Sequence, residues 1–433
     1  MIRIPETEFI TKDFSMKNSI TTLLDQAENG RVIALHGNIS LRPGKQITAG
    51  KFGLQPLIPI TLSDLTIDGG DATIFLETDE IPRGNSAIFH IPRGVKGVRL
   101  RNLHLKVKFH GPKASQKTIV AIHNEGENLS VENCTIEMFA EEQVNLIGFL
   151  GRGDQDTMNA TCADCTSLNG NVIRIHCVAT DEHIPAEVCG LRIQLANSVS
   201  VTNNFIHVTM LGKGDLHRAI GMETDGKYGR YIGNNIKAGG MHPAGMKLEQ
   251  ATAIGMINGG MYNLISSNNI VGERGGKCIG LENRGPFANI ASNKILSTHS
   301  VFGRTILNIA PACLIQGNIV TSTAKNARLI EQRANSCIIS HNMMEVCLSA
   351  PKCVTGCAIY IPEHCIKNNI SDNTIRNVYD CAIFAPKNCG VMERNTLCSF
   401  PRTIPLIDAD SPEWKRRFSE EVISSLLSEE DEA

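Results

Sequence analysis

The chain predicts an all-β fold, a parallel β-helix solenoid, and three observations carry that expectation. First, one heptapeptide is written three times: Ile220-Gly221-Met222-Glu223-Thr224-Asp225-Gly226, Ile254-Gly255-Met256-Ile257-Asn258-Gly259-Gly260 and Ile279-Gly280-Leu281-Glu282-Asn283-Arg284-Gly285. Positions one and three are apolar in every copy, which is the period of a strand. Second, an aliphatic run ending in Asn follows each copy, at Asn234, Asn268 and Asn293. Third, the chain is 42% hydrophobic but only 5% aromatic, so the core must be built from aliphatic side chains that stack on copies of themselves. At 433 residues an ordinary chain would hold several domains, yet a solenoid carries this length as one unit because each repeat packs only on its neighbours.

Three segments follow from this reading. Residues 1–62 are expected to cap the open end. An amphipathic helix is predicted within 15–30, around Ser19 to Ala27 and stopped at Gly30, followed by a first strand from Arg31 to Leu35. Residues 63–400 should hold roughly a dozen coils, beginning at Ser63-Asp64-Leu65-Thr66-Ile67-Asp68-Gly69. The corner slot is assigned in turn to Asn102, Asn133, His176, Asn204, Asn234, Asn268, Asn293, Asn318, Asn342, Asn373 and Asn395. Asn suits a corner because it tolerates left-handed backbone geometry, and its amide offers two donors and an acceptor to the coil above and below. The longest interval, from Asn133 to His176, holds a polar excursion near 148–170 of the kind that walls a binding face. Residues 401–433 form the third segment. Ser411-Pro412-Glu413 reads as a capped start, and Trp414, Phe418, Val422 and Leu426 mark one face of a C-terminal helix before an acidic tail.

Composition narrows the function classes. Formal net charge is −2, which gives no general pull toward nucleic acid or an anionic membrane. No apolar run reaches the roughly 20 residues that span a bilayer, and no secretory signal opens the chain. A cytoplasmic location is the expectation, with non-classical export or attachment to a virion left open. Fifteen Cys do not read as a disulfide framework in a chain of this size without an export signal. Cys313, Cys337, Cys365 and Cys389 fall at matching points of the repeat and read as an inner row of free thiols. Cys162-Ala163-Asp164-Cys165 lacks a second pair at zinc-site spacing, so no structural metal is expected.

The repeat, the Asn row, the N-terminal helix and the phrase Leu65-Thr66-Ile67-Asp68-Gly69 resemble the right-handed parallel β-helix superfamily, the pectate-lyase-like proteins, over about residues 30 to 400. That resemblance implies a carbohydrate-active protein: a lyase, glycoside hydrolase, epimerase or fructan-transferring trimer, or a phage tailspike. The chain has no Gly-His-Gly of the polygalacturonase kind and no Arg-x-Pro-x-x-Arg of the pectate lyase kind. The superfamily therefore transfers, and its catalytic residues do not.

Candidate site residues come from the repeat itself. With Ile220, Met222 and Thr224 inward, Glu223 and Asp225 point outward. Stacking the copies sets Glu282 in the Glu223 column and Arg284 in the Asp225 column, with Ile257 and the small Gly259 between. Glu223, Asp225 and Glu282 are the expected catalytic carboxylates. Two rungs separate Glu223 from Glu282, about 10 Å at the backbone, near the separation an inverting glycosidase uses. Lys247, Glu249, Arg284, Arg230, His217 and His242 are expected to bind substrate, and an elimination would take Lys247 or Arg284 as base. Residues 213–284 hold nine Lys or Arg against six acids, which favours an anionic sugar. Tyr228 and Tyr231 are the aromatics beside the patch. No cofactor is required, although a Ca²⁺ among the carboxylates fits the composition. The partner is a glycan, and a homotrimer would bury a long lateral face. The rival reading is a tailspike-like or adhesive β-helix that binds glycans without turnover or acts as a rigid spacer.

Overall fold

The computed structural model describes residues 24, 27–41, 54–78, 85–110, 117–141, 144–153, 163–179, 181, 183–212, 216–241, 251–347, 355–378, 380–398 and 403–408. Its architecture is three parallel sheets of thirteen strands each, with every third strand of the chain entering the same sheet. The chain thus climbs one rung per three strands and fits a right-handed parallel β-helix. Sheet A runs from Val32–Ala34 to Gly390–Glu393, sheet B from Asn38–Leu41 to Thr396–Cys398, and sheet C from Leu54–Pro59 to Ile404–Asp408. The coils therefore begin before Ser63 and continue past residue 400. Val32–Ala34, placed with a cap by its distance from the first clear repeat, already pairs with Thr66–Asp68. Of the helix expected around Ser19 to Ala27 only Leu24 and Ala27 are described, and the helix expected after Ser411 lies outside the described residues. The excursion expected near 148–170 is narrower than the spacing suggests: Asn145–Arg152 and Ser167–Asn169 are coil strands, and 154–162 lie outside the described residues. Among the described residues no helix is long and apolar enough to cross a membrane.

The core is a set of vertical aliphatic columns. In sheet A, Val201, Tyr231, Ile265, Ile290 and Ile315 stand in register, and in sheet B, Ile206, Ile236, Ile270, Ile295 and Val320 do the same. Each is fully buried, worth about 1.5–3 kcal/mol for a large aliphatic side chain. Tyr231 is the exception in chemistry, and its hydroxyl is satisfied by Thr224 Oγ1.

The Asn column is a continuous ladder, Asn171, Asn204, Asn234, Asn268, Asn293, Asn318, Asn342, Asn373 and Asn395. Asn268 shows the unit. Its Oδ1 accepts from both the backbone N–H (2.8 Å) and Nδ2 (3.0 Å) of Asn234, while its Nδ2 donates to Tyr231 O (2.8 Å) and Asn293 Oδ1 (3.0 Å). Two expectations change here. His176 is not in this column; Asn171 holds the place, and His176 stacks outward on Phe139. The left-handed residue is the one before the ladder amide, such as Asn203, Gly233, Ser267 and Ser292, which is why Asn102 and Asn133 stand one residue early with φ of 55° and 53°. The ladder Asn is thus chosen for its amide and its predecessor for its backbone. The thirteen described Cys are all free, and Cys313, Cys337, Cys365 and Cys389 are buried as expected.

Sheet C departs from simple alternation. Ala219 and Met222 belong to the main core, but Ile220 packs in a separate cluster with Cys189, Ile254, Ile257, Ile279 and Leu307. Ile220 is therefore not an inward residue of the coil. The break is at Gly221, which has no cross-strand partner between the pairs Ile220↔Ile254 and Met222↔Met256. A Cβ there would lie 2.4 Å from Ile236 Cγ2 and 2.5 Å from Gly255 O, so only glycine lets the strand bend inward at this point. Gly148, Gly190, Gly255 and Gly280 repeat the device between the same paired positions of neighbouring rungs.

Candidate functional site

The strand Arg218–Thr224 presents Glu223 on the outside of sheet C, between inward Met222 and Thr224. Register then brings together residues far apart in the chain: Arg192, Glu223, Ile257, Glu282, Leu307 and Glu331 form one outward column. Glu223 and Glu282 thus share a column two rungs apart, with Ile257 between, as the repeat predicted. At a rung spacing of about 4.8 Å their backbones are about 10 Å apart. Asp225 lies beside Gly259, whose Cβ would come 3.1 Å from that of Asp225.

The carboxylates do not stand alone. Arg192 Nε donates to Glu223 Oε2 at 2.7 Å, its Nη2 donates to Glu187 Oε1, and Arg218 Nη1 lies 3.3 Å from Glu187 Oε2. Glu282 is nearly buried and accepts from Arg284 Nε at 2.7 Å. Two rungs on, Glu331 is fully buried and takes Arg304 Nε at 2.7 Å, Arg328 Nη1 at 3.0 Å and Arg333 Nε. Burial opposes ionisation of Glu331, but the charges of Arg328, Arg304 and Arg333 outweigh it and hold the carboxyl below its usual range. Asp225 differs. Its Oδ1 accepts the Leu195 N–H, yet its immediate surroundings and the neighbouring Glu223 charge push its pKa above the ordinary aspartate range. Desolvation by the surrounding chain is the larger cause, weakened by the exposure of the Asp225 side chain to solvent. The arrangement offers one carboxyl with a raised pKa beside another bonded to a guanidinium.

Other expected members fall elsewhere. His217 is fully buried rather than at the rim, because it sits at the tight entry to the strand, against Gly212. Arg230 opens the strand Arg230–Ile232 of sheet A and is not on the sheet C face. His242, Lys247 and Glu249 lie outside the described residues. Tyr231 is a core residue, whereas Tyr228 heads an exposed ladder of rings with Tyr262 (5.4 Å) and Phe287 (4.8 Å) at the corner after sheet C. Those rings are spent on one another.

Sequence reasoning missed two features. A cleft of about 610 Å³ opens on the outer face of sheet B, lined by Lys106, Lys108, Glu137, Phe139, Arg174, His176 and His207, with the Phe139 and His176 rings stacked at 5.3 Å. Burial lowers the pKa of both His176 and His207, keeping them neutral near pH 7. The second feature is His90 and His123 on sheet C with Glu125 just past the strand end, a group of three His, Cys, Asp or Glu side chains among the described residues whose ligand atoms lie within 4.8 Å of one another. His90 and His123 are in register, so a search for matching polar residues in the early repeats would have found them. The three carboxylates singled out in the sequence do not form such a group; each leans on an arginine or a backbone N–H instead.

Among solved structures the chain is similar to the A-module of the mannuronan C-5 epimerase AlgE4 of Azotobacter vinelandii, at 10% identity and TM-score 0.45, covering 90% of this chain and 94% of that one. It is similar to the DFA-IIIase of Arthrobacter chlorophenolicus A6 without its lid, at 14% identity and TM-score 0.45, covering 94% and 98%. It is also similar to PfbA, a surface adhesin of Streptococcus pneumoniae, at 11% identity and TM-score 0.45, covering 89% and 87%. No family model and no curated protein matches the chain. Likeness at this level assigns neither substrate nor activity.

Proposed function

We propose that the protein is a carbohydrate-active enzyme that cleaves an oligo- or polysaccharide on the outer face of sheet C, with Asp225 and Glu223 as its acid and base. The observation that carries this reading is the contrast between two neighbouring carboxyls, Glu223 bonded to Arg192 and Asp225 with no arginine, held by the Leu195 N–H beside Gly259 and raised in pKa. Pairs of titratable groups with opposed environments are how one site runs both halves of acid–base chemistry. Two residues apart on a strand, their Cα atoms are about 7 Å apart, compatible with a water between an inverting pair. In that scheme Asp225 protonates the departing glycosidic oxygen, and Glu223 takes a proton from the water that attacks the anomeric carbon. Glu282, Arg284 and Gly259 border the pair and would seat the neighbouring sugar, Gly259 by leaving room. Arg284 is tied to Glu282, which argues against it as the base of an elimination. The arginines of this face favour an anionic glycan, and the scheme uses side chains alone. A cytoplasmic site of action and a homotrimer remain parts of the same proposal.

The test is a glycan panel scored for new reducing ends and for unsaturated products. Glu223→Gln and Asp225→Asn should each cost about 10²–10⁴ in turnover while the circular dichroism spectrum stays that of the parent. Inactivity of the unaltered protein across anionic and neutral glycans would remove the enzymatic reading. The second reading, glycan binding without turnover, is favoured by the cleft on sheet B, where cations and a stacked ring pair line a concavity. In that case Lys106→Ala and Arg174→Ala would weaken binding, and the carboxylate variants would not.

A further inference from the structure

Near the N-terminal end of sheet C, the strands Asn85–Ile91 and Thr118–Asn124 set His90 and His123 side by side in one column, their rings stacked at 5.0 Å and 12°. Glu125 stands two residues after His123, and His90 Nε2 lies 3.1 Å from Glu125 Oε2. His123 is 1% exposed, and neither of its ring nitrogens has a hydrogen-bond partner; Glu125 Oε1 is buried and unpartnered as well. A buried polar atom left without a partner is costly, because its desolvation is not repaid. These unpartnered atoms belong to one coil, and the His90 ring from the coil before is stacked against them, which describes a place made for a ligand.

We propose that His90, His123 and Glu125 bind one divalent first-row transition cation of the Zn²⁺ type, a site separate from the carboxylate pair and independent of the catalytic reading above. Two imidazoles and a carboxylate are the donors of an open zinc site, three protein ligands with a fourth position free for water or substrate. Nitrogen donors count against Ca²⁺ and Mg²⁺, which take oxygen. One ligand atom from each residue lies within 4.8 Å of the others. A tetrahedron with bonds of about 2.1 Å needs edges of about 3.4 Å, so a bound cation would draw the His90 and Glu125 side chains closer together. The charges of Arg93 and Arg152 act on Glu125 and His123 and oppose a cation, so the ligands must supply the affinity. From His123 to Glu223 is three rungs, about 14 Å along the same face.

The full chain, stripped with a chelator and dialysed, is titrated with Co²⁺ while visible absorption is read, and with Zn²⁺ by calorimetry. One equivalent per chain and the d–d bands of low-coordinate Co²⁺ are expected. His90→Gln and Glu125→Gln should each weaken both cations at least tenfold with an unchanged circular dichroism spectrum, as should His123→Gln where it folds. Glu137→Gln, on sheet B, should bind as the parent does. Absence of stoichiometric Co²⁺ and Zn²⁺ binding overturns the proposal. So does binding that His90→Gln and Glu125→Gln leave unchanged, or a preference for Ca²⁺ over Zn²⁺.

Discussion

Arg192 sits one rung before Glu223 in the same outward column and reaches it with Nε at 2.7 Å, while its Nη2 holds Glu187 on its own strand. One guanidinium thus joins two carboxylates across two coils. All three side chains are mostly covered, with exposures of 15% for Arg192, 27% for Glu187 and 26% for Glu223. Removing the cation leaves two acids facing each other in a poorly solvated place. Arg192→Ala is expected to destabilise the fold by about 2–4 kcal/mol, short of the fully buried case. Arg192→Lys should recover only part of that, because an ammonium cannot present the same fork. Urea unfolding of the three proteins measures it, and a loss within 0.5 kcal/mol for Arg192→Ala would show the pair to be solvated.

Asp225 gives a pH dependence of the opposite sign to the usual carboxylate. Its folded pKa is raised, so the native state holds the proton more tightly than the unfolded chain does. Stability then falls as pH rises from the unfolded aspartate value through the folded one, and the deficit persists above. Asp225→Asn keeps the acceptor for the Leu195 N–H and removes the ionisation. The variant should melt above the parent at pH 7 and level with it near pH 3, while losing turnover. A group retained for function at a cost in stability behaves this way; a merely structural Asp225 would lose stability on substitution at pH 7.

Glu331 titrates in the ordinary direction. Its folded pKa is depressed by Arg328, Arg304 and Arg333 against the effect of burial. The stability it contributes is complete above the unfolded glutamate value of about 4.3 and is lost as pH falls through the depressed folded value. Glu331→Gln leaves two largely buried guanidiniums without their shared carboxylate and should cost about 3–5 kcal/mol at pH 7. The difference from the parent should shrink in acid, which thermal melts from pH 7 to pH 3 will read.

The repeat made much of this legible because a solenoid converts spacing into height. Once Ile220 and Ile279 were aligned, Glu223 and Glu282 had to share a column, and the register agrees. What periodicity cannot carry is a bend. Gly221 lets Ala219 and Met222 both face the core, so strict alternation put Ile220 on the wrong side. Nor does spacing show partners. The Arg192 bond to Glu223 joins coils whose sequences differ, and His90 with His123 lies in coils outside the repeated phrase. His217 read as a rim residue because it borders a charged stretch, but the turn that brings it against Gly212 buries it.

The Asn ladder predicts a cost that spreads beyond the altered residue. Asn268 Oδ1 is the acceptor for two donors of Asn234, and its Nδ2 serves Tyr231 O and Asn293 Oδ1. Asn268→Ala would take the acceptor from the Asn234 N–H and from one hydrogen of the Asn234 amide, whose other hydrogen keeps Val201 O, and would take the side-chain donors from Tyr231 O and Asn293 Oδ1. A net loss of about 3–5 kcal/mol is expected, from several unsatisfied groups at about 1–3 kcal/mol each less what local relaxation recovers. Asn268→Asp keeps the acceptor and drops the donor, but it brings a buried charge and should do no better at pH 7 than Asn268→Ala. Because each rung rests on its neighbours, amide exchange should quicken at Asn234 and Asn293 and stay unchanged near Asn373. Equal protection throughout the ladder in Asn268→Ala would mean that the amides stack without supporting one another.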